Sequence, residues 1–485
     1  MVGIRSFGGY IPRYRLDRMK IFKSMGWINA ANYALARGSK SVAGVDEDSL
    51  TMAVAAGIDC VNGFDRSEID GVYLASTSLP YAERQNAGIV AGALNLKEGV
   101  RSMDFAGSLK AGTSALISAL ESVSSKGVDN LLICASDSRL GQIGSPQELI
   151  NGDGAAAFLV GNKDVIAEYK GSFSLTCDFV DHFRGSQTRF DRQWEDRWIR
   201  DIGFDRFIPE VIDGLLKKYD LKLQDFAKVI YPCYYAAERK ILDKKLGLEK
   251  EKIEDPMMGE VGEMGTAQPL AMLARALEDA EPGDKILAIS YGNGCDALWF
   301  EVTENIKKLP SRTGISGYLS KKVDLDRYEK YLVWRRVIKI DTGLRGEEDV
   351  WSRWSLNWRA RKTILGLCGS KCLECGTPQF PPQRVCANPE CGAIDRMEDY
   401  AFADKKGKIF TYTADSLVVS YDPPQLYGVI NFDGGGRFMM NLTDCDQESV
   451  KVGKPVYFSF RVVKYDEKRD ATQYFWKAVP IEEEG

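Results

Sequence analysis

Five of the eleven cysteines crowd between Cys368 and Cys391. Cys372-x-x-Cys375 and, after ten intervening residues, Cys386 with Cys391 form two thiol pairs on tight knuckles. Four thiolates suit a tetrahedral zinc ion in a closed, structural site. The second knuckle has four residues between its cysteines, wider than the usual spacing. Degenerate, metal-free knuckles are therefore the alternative reading. Cys368, four residues before the first pair, reads as a spare. Zinc here would stabilise a ribbon too small for its own core and would not catalyse. The other six cysteines, Cys60, Cys134, Cys177, Cys233, Cys295 and Cys445, lie mostly in apolar contexts and read as reduced thiols.

The chain has one histidine, His182, within CDFVDHFRG. The stretch HFRGSQTRFDRQWEDRWIRD that starts there carries five arginines among aromatics. Guanidinium groups recognise phosphate well. A solvated face with internal ion pairs explains the same stretch.

Elements that could position these groups follow from patterning. At 485 residues, 44% of them hydrophobic, the chain can bury two or three cores. Its net charge of -5 argues against a general nucleic-acid binder. No run approaches the 18 or so apolar residues of a membrane span. The start, MVGIRSFGGYIPRYRL, has no apolar h-region, so a cytoplasmic protein is expected.

Over the first 300 or so residues, apolar strands such as GVYLAS, NLLICAS, AAAFLVG, KVIYPC and KILAIS alternate with helical stretches. That alternation predicts βαβ units with covered, mainly parallel strands. The pattern repeats. EIDGVYLASTS, KAGTSALISAL and NLLICAS are followed, about 153 to 156 residues later, by DFAKVIYPCYY, MGTAQPLAMLARAL and KILAISYGNG. Gly112-Thr113 falls against Gly265-Thr266. A duplicated α/β domain places its site where the halves meet. The expected domains are 1–165 and 166–304 for the two halves, a helical linker 305–366, a zinc ribbon 367–394, and an all-β barrel of about five strands over 395–485.

The first domain resembles the thiolase superfamily, specifically archaeal-type HMG-CoA synthases and ketoacyl-ACP synthase III. IPRYR, STSLPYAERQ, DFAGSLKAGTSAL, NGDGAAAFLVG and ISYGNG carry the resemblance. Through KCLECGTPQFPPQRVCANPECG, KIFTYT and VGKPVYFSF, the tail resembles the rubredoxin-like zinc-ribbon plus OB-fold proteins that accompany such enzymes. The resemblance implies a duplicated thiolase-like α/β fold followed by a zinc ribbon and a small OB-fold barrel. It also implies acyl-CoA substrates, a homodimer, and carbon–carbon bond making or breaking beside a thioester. A thiolase, dehydrogenase or hydratase of the same pathway is an implied partner. Zinc is the one implied cofactor, and coenzyme A enters as part of the substrate.

Laid on the family pattern, this chain departs at each reactive position. The nucleophilic cysteine at the start of the buried helix falls at Leu109, beside Ser108. The synthase glutamate falls at Thr77, the histidine at Cys233 and the condensing-enzyme asparagine near Glu263. Leucine cannot be acylated. Aldol or retro-aldol chemistry on a β-hydroxyacyl-CoA needs no covalent intermediate, only an acid/base and donors for a thioester enolate. Thiolase-like aldolases that cleave steroid side chains also lack the cysteine and work with zinc-ribbon/OB partners, a similar layout. The candidate catalytic groups are Glu263, Tyr234, Tyr235, Cys233 and His182. Ser108, Leu109, Thr77 and Asn293 are expected to line the substrate site. Each catalytic candidate has a plainer reading: Glu263 as a helix-start acid, the tyrosines as packing, Cys233 as a small buried residue, His182 as a structural side chain.

Three functions compete at this point. One is a cysteine-independent lyase or aldolase on acyl-CoA. The second is an HMG-CoA synthase-like acyltransferase whose nucleophile is not placed. The third is a non-catalytic subunit that binds CoA esters or scaffolds a thiolase.

Overall fold

The computed structural model describes residues 1–347, 350–351 and 353–481. Two compact units are distinguished. The first comprises Met1–Gly44, Asp48–Val90 and Lys97–Tyr331; the second comprises Val45–Glu47, Ala91–Leu96 and Leu332–Gly485.

The first unit is built on nine strands in one continuous hydrogen-bonded order: Lys228–Ile230, Lys285–Tyr291, Gly294–Val302, Ala167–Thr176, Gly3–Tyr10, Gly154–Gly161, Asn130–Asp137, Gly71–Ala75 and Arg101–Phe105. Strands such as Asn130–Asp137 and Gly154–Gly161 are buried at every position. That accounts for their unbroken apolar runs, because both faces are covered. Sheet direction differs from the expectation. Only three of the eight pairings are parallel, at the two ends of the order; the five central ones are antiparallel. For one of these pairings the reason is local. Lys285–Tyr291 and Gly294–Val302 are joined by the two residues Gly292 and Asn293, a hairpin that leaves no room for a crossover helix.

The duplication is present in space. Gly71–Ala75, the helix Ala111–Ser124 and Asn130–Asp137 correspond to Lys228–Ile230, the helix Gln268–Glu278 and Lys285–Tyr291. Both helices belong to one apolar core, with Ala115, Leu116, Ala119 and Leu120 of the first and Leu270, Ala271, Leu273 and Ala274 of the second fully or almost fully buried. The second helix starts with Pro269 in its first turn, and the Gln268 side chain accepts from the Met264 N–H at 3.0 Å. Proline in the first turn costs nothing because its missing N–H would be unpaired there.

Close approaches around the two helix starts require glycine: a Cβ on Gly112 would lie 2.4 Å from the Thr266 carbonyl oxygen. A Cβ on Gly292 would lie 2.8 Å from the Leu109 nitrogen and 2.9 Å from the Lys110 nitrogen. Gly265, at φ +59°, would place its Cβ 2.2 Å from the Asp137 carboxylate. Left-handed backbone is open to glycine at little steric cost.

The second unit holds two small β structures. Cys368–Cys372 pairs with Pro378–Gln379 and Met397–Ala401 in a three-stranded ribbon. Five antiparallel strands then run in the order Arg437–Asn441, Gln425–Phe432, Gly407–Asp415, Pro455–Asp466 and Ala471–Pro480. Leu442 bridges to Ala478, which brings the two ends of the order together as a barrel. Phe402, Phe432 and Phe458 pack in sequence through the core as tilted pairs, with ring centroids 4.7 and 4.9 Å apart.

The stretch expected to be a helical linker is more broken than its periodicity suggests. Val323–Asp324 pairs with Tyr14–Asp17, and residues up to Tyr331 fold within the first unit. Three short helices, Tyr328–Trp334, Trp354–Arg359 and Arg361–Gly366, occupy the remainder. Part of the expected helical linker, at residues 348, 349 and 352, lies outside the described residues.

Candidate functional site

At the start of the helix Ala111–Ser124, Leu109 presents an apolar side chain and is 6% exposed. The Ser108 hydroxyl donates to the Gly292 carbonyl at 2.7 Å. Lys110 Nζ lies 3.1 Å from Asp296, whose other oxygen accepts from Thr113 at 2.9 Å and Ser114 at 3.1 Å. Thr113 and Ser290 share a hydrogen bond of 2.6 Å. The polar atoms around this helix start are therefore engaged with one another.

Glu263 sits at the corresponding start in the second half. Its backbone bridges Asn151, its N–H donating to the Ile150 carbonyl and its carbonyl accepting from Gly152, each at 2.9 Å. One carboxylate oxygen accepts from the Gly265 N–H at 2.9 Å; the other is bonded to Arg139 Nη1. Arg139 Nε lies 2.7 Å from Asp191, and Arg184 Nη1 lies 2.7 Å from the other Asp191 oxygen. Arg184 Nη2 donates to the Thr77 carbonyl. Glu263, Arg139 and Asp191 are all buried. An alternating chain of charge thus runs from the second-half helix start to the loop of the first half that carries Thr77.

That loop is fixed by one residue. Asp137 Oδ1 accepts from the Thr77 N–H at 2.8 Å, from Ser78 Oγ at 2.7 Å and from Ser76 and Thr77 hydroxyls at 3.0 Å. Its Oδ2 accepts from the Thr266 N–H at 2.8 Å.

His182 lies on a two-stranded hairpin, paired opposite Gln193. Its Nδ1 is 2.9 Å from Asp181 Oδ1. The same hairpin carries Arg184 and Asp191, so the arginine-rich stretch supplies internal pairs: Arg184 with Asp191, and Arg197 with Asp201.

Tyr234 and Tyr235 pack ring to ring at 4.5 Å and both face Phe204. Tyr235 donates to Asp196 at 2.8 Å. Burial, with the carboxylates of Asp181 and Glu263 adding to it, works against ionisation of Tyr234. Cys233 is buried, its thiol 3.6 Å from the Tyr235 carbonyl. Asn293, at φ +51°, forms the turn and donates to the Phe179 carbonyl at 3.2 Å.

Burial pushes the Glu263 carboxyl above its ordinary 4.5, and Arg139 opposes the shift. Burial also works against ionisation of Asp191, but Arg139 and Arg184 outweigh it and hold that carboxyl below its ordinary value. Desolvation pushes Tyr234 well above the ordinary phenol value, and the Cys233 thiol up to about 12. Both therefore stay protonated at neutral pH. A surface depression of about 570 Å³ beside the helix Phe207–Tyr219, lined by residues such as Phe173, Arg206, Glu210 and Lys217, includes none of these groups.

Asp181, Arg139, Asp191, Lys110 and Asp296 escaped the sequence reading. Asp181 and Asp191 flank the arginines of the hairpin, and Arg139 follows the strand Asn130–Asp137 by two residues. Nothing periodic marks them.

In the ribbon, the sulfur atoms of Cys372, Cys375, Cys386 and Cys391 all lie within 4.8 Å of one another. Cys372 and Cys391 are 3.8 Å apart, Cys375 and Cys386 3.5 Å. Zinc–sulfur bonds of about 2.3 Å in a tetrahedron separate sulfurs by about 3.8 Å. The donor set therefore fits zinc. The wide second knuckle closes through Asn388, whose carbonyl accepts from Cys391 at 3.0 Å and Gly392 at 3.2 Å. Cys368 stands outside the group, against the Gly366 carbonyl.

Comparison with known proteins agrees with both parts. Residues 366–395 match the family described as "ChsH2, rubredoxin-like zinc ribbon domain", and residues 400–461 match "ChsH2, C-terminal OB-fold domain". The fold of the first part is thiolase-like. An HMG-CoA synthase solved with CoA superposes with a TM-score of 0.60 at 20% identity, covering 73% of this chain and 94% of that one. The 3-oxoacyl-[acyl-carrier-protein] synthase III of Aquifex aeolicus gives 0.55 at 20% identity, over 62% of this chain and all of that one. The hydroxymethylglutaryl-CoA synthase of Methanocaldococcus jannaschii is 30% identical over 355 residues, 70% of this chain and 100% of that protein. That of Methanopyrus kandleri is 31% identical over 345 residues, 70% of this chain and 98% of that protein. With a zinc ribbon and an OB-fold barrel appended, the chain belongs to the hydroxymethylglutaryl-CoA synthase family.

Proposed function

We propose that this chain joins two acyl units as free thioesters, adding the enolate of one acyl-CoA to a carbonyl of the other without an acyl-enzyme. The observation that carries the reading is the contrast between the two helix starts. The first offers Leu109 and an engaged Ser108; the second offers the buried, ionisable Glu263. The synthase relatives support the condensing direction, and retro-aldol cleavage is the same chemistry reversed.

In the condensing direction, a base removes the α-proton of the donor thioester. The C–H electron pair becomes the enolate double bond, and the thioester C=O pair moves to oxygen. The enolate carbon then attacks the acceptor carbonyl carbon. The acceptor C=O pair takes a proton, and a β-hydroxyacyl-CoA results. Glu263 gives that proton in condensation and takes it back in cleavage. Burial raises its pKa, which favours the protonated form that this donation needs. Tyr234, held protonated beside it, donates a hydrogen bond to the developing oxyanion.

The test is product mass spectrometry in both directions. One arm supplies acetyl-CoA with a panel of β-ketoacyl-CoAs; the other supplies β-hydroxyacyl-CoAs, including 3-hydroxy-3-methylglutaryl-CoA. New β-hydroxyacyl-CoA, or release of two smaller products, with no mass added to the protein, is expected. A stable acyl adduct on the chain overturns the mechanism.

A further inference from the structure

We infer that Asp181 is a positioning residue that makes His182 a directed proton carrier for the α-carbon of an acyl thioester. The inference rests on the acyl-CoA reading above and adds the group that reading leaves open, the base for the donor.

The geometry is a carboxylate–imidazole pair held from two sides. Asp181 Oδ1 lies 2.9 Å from His182 Nδ1 and accepts the His182 backbone N–H at 2.7 Å. The Asp181 carbonyl accepts from Trp194 at 2.9 Å, which ties the pair to the far strand of the hairpin. The Asp181 side chain is buried, while that of His182 keeps 19% of its surface exposed. An ionised carboxylate can only accept, so the neutral ring carries its proton on Nδ1. The lone pair is left on Nε2, which has no hydrogen-bond partner among the described residues.

The hairpin also sets where this nitrogen acts. It brings Asp191 and Arg184 to Arg139, and Arg139 to Glu263. His182 shares this hairpin with Asp191, whose carboxylate meets Arg139, the cation of Glu263. Glu263 is anchored through both oxygens, by Arg139 and by the Gly265 N–H. The two groups therefore divide the work. The Nε2 lone pair takes the α-proton, and the C–H pair passes into the enolate. Glu263 supplies the proton that ends on the β-oxygen. The imidazolium then returns its proton to Glu263 directly or through water, so one proton moves from α-carbon to β-oxygen per turnover.

A single histidine makes the test clean, because every imidazole signal of the full chain belongs to His182. Nitrogen-15 NMR of histidine-labelled protein, at a pH where the ring is neutral, should show the Nδ1–H tautomer. Asp181→Ala should revert it to the Nε2–H form that free imidazole side chains favour in water. Exchange of acetyl-CoA α-protons in deuterium oxide, without an acceptor, gives the second readout. His182→Ala should slow exchange by about a hundredfold or more, with partial rescue by added imidazole. Asp181→Ala should lower the exchange kcat with KM unchanged. A wild-type Nε2–H tautomer overturns the positioning role, even if no variant folds. Full exchange in His182→Ala overturns the proton-carrier role alone. Absence of exchange by the wild-type chain with every thioester tried overturns the acyl-CoA reading and this role with it.

Discussion

The hydroxyl of Ser108 donates to the carbonyl of Gly292 at 2.7 Å, across 184 positions of sequence. The one hydroxyl beside Leu109 is thus spent on joining the two halves. Among the described residues the Ser108 hydroxyl bonds only backbone, the Gly292 carbonyl and the Lys110 N–H, and no base. Intact-protein mass spectrometry after incubation with acetyl-CoA should show no added acetyl group. Tryptic mapping should find residues 100–115 unmodified.

Glu263→Gln keeps the shape of the side chain and removes the titrating carboxyl. Turnover should fall about a hundredfold to ten-thousandfold, while CoA-ester binding measured by calorimetry persists. In the cleavage direction the carboxylate form is the active one. Burial raises the Glu263 pKa, so the wild-type rate should fall with decreasing pH through a value above 4.5. The same acid limb should be absent from the residual rate of the Gln variant.

Arg139 is the shared cation of two buried carboxylates. Arg139→Met strips Glu263 of its buried cation, while Asp191 keeps Arg184. Loss of one partner from a buried ion pair typically costs about 3–5 kcal/mol, and denaturant unfolding should report a loss of that order. As pH falls through the raised Glu263 pKa the variant should recover part of the difference, because that carboxyl is then neutral.

Metal analysis of fresh protein should find about one zinc per chain. Cys372→Ser with Cys375→Ser should abolish it, since two of four donors are lost. Cys368→Ser should leave the zinc content unchanged, because its sulfur lies outside the cluster.

The strand Arg101–Phe105 ends the nine-stranded order with one neighbour only, and Met103 on it is 47% exposed. An open edge of this kind invites strand pairing between copies. Light scattering at micromolar concentration should return twice the 54.0 kDa chain mass. Met103→Asp should shift the population toward one chain.

The duplication and the zinc ligands were legible because they are written in spacing. Gly112-Thr113 and Gly265-Thr266 mark equivalent helix starts, and each Cβ-free position is enforced by a close approach that sequence retains as glycine. Strand direction was less legible. An apolar run buried on both faces, such as Asn130–Asp137, reads the same whether its neighbour is parallel or antiparallel. The hairpin at Gly292-Asn293 was the available clue. Of the polar site, Glu263 and His182 stood out as singular residues, whereas Asp181, Arg139 and Asp191 are common types in a charged stretch. Their pairing is set by the fold of a short hairpin, and no local period announces it.

Asp137 bears on how this molecule comes apart. It is fully buried, and its two oxygens serve different halves: Oδ1 takes Ser76, Thr77 and Ser78, and Oδ2 takes the Thr266 N–H. A fragment ending near residue 165 would keep the carboxylate and lose the Thr266 donor, along with the apolar cover of Gln268–Glu278. A buried acceptor stripped of its donor costs about 1–3 kcal/mol, on top of the exposed helix face. Neither repeat is thus a free-standing folding unit, and melting of the first 331 residues should be one cooperative transition in which both halves are lost together.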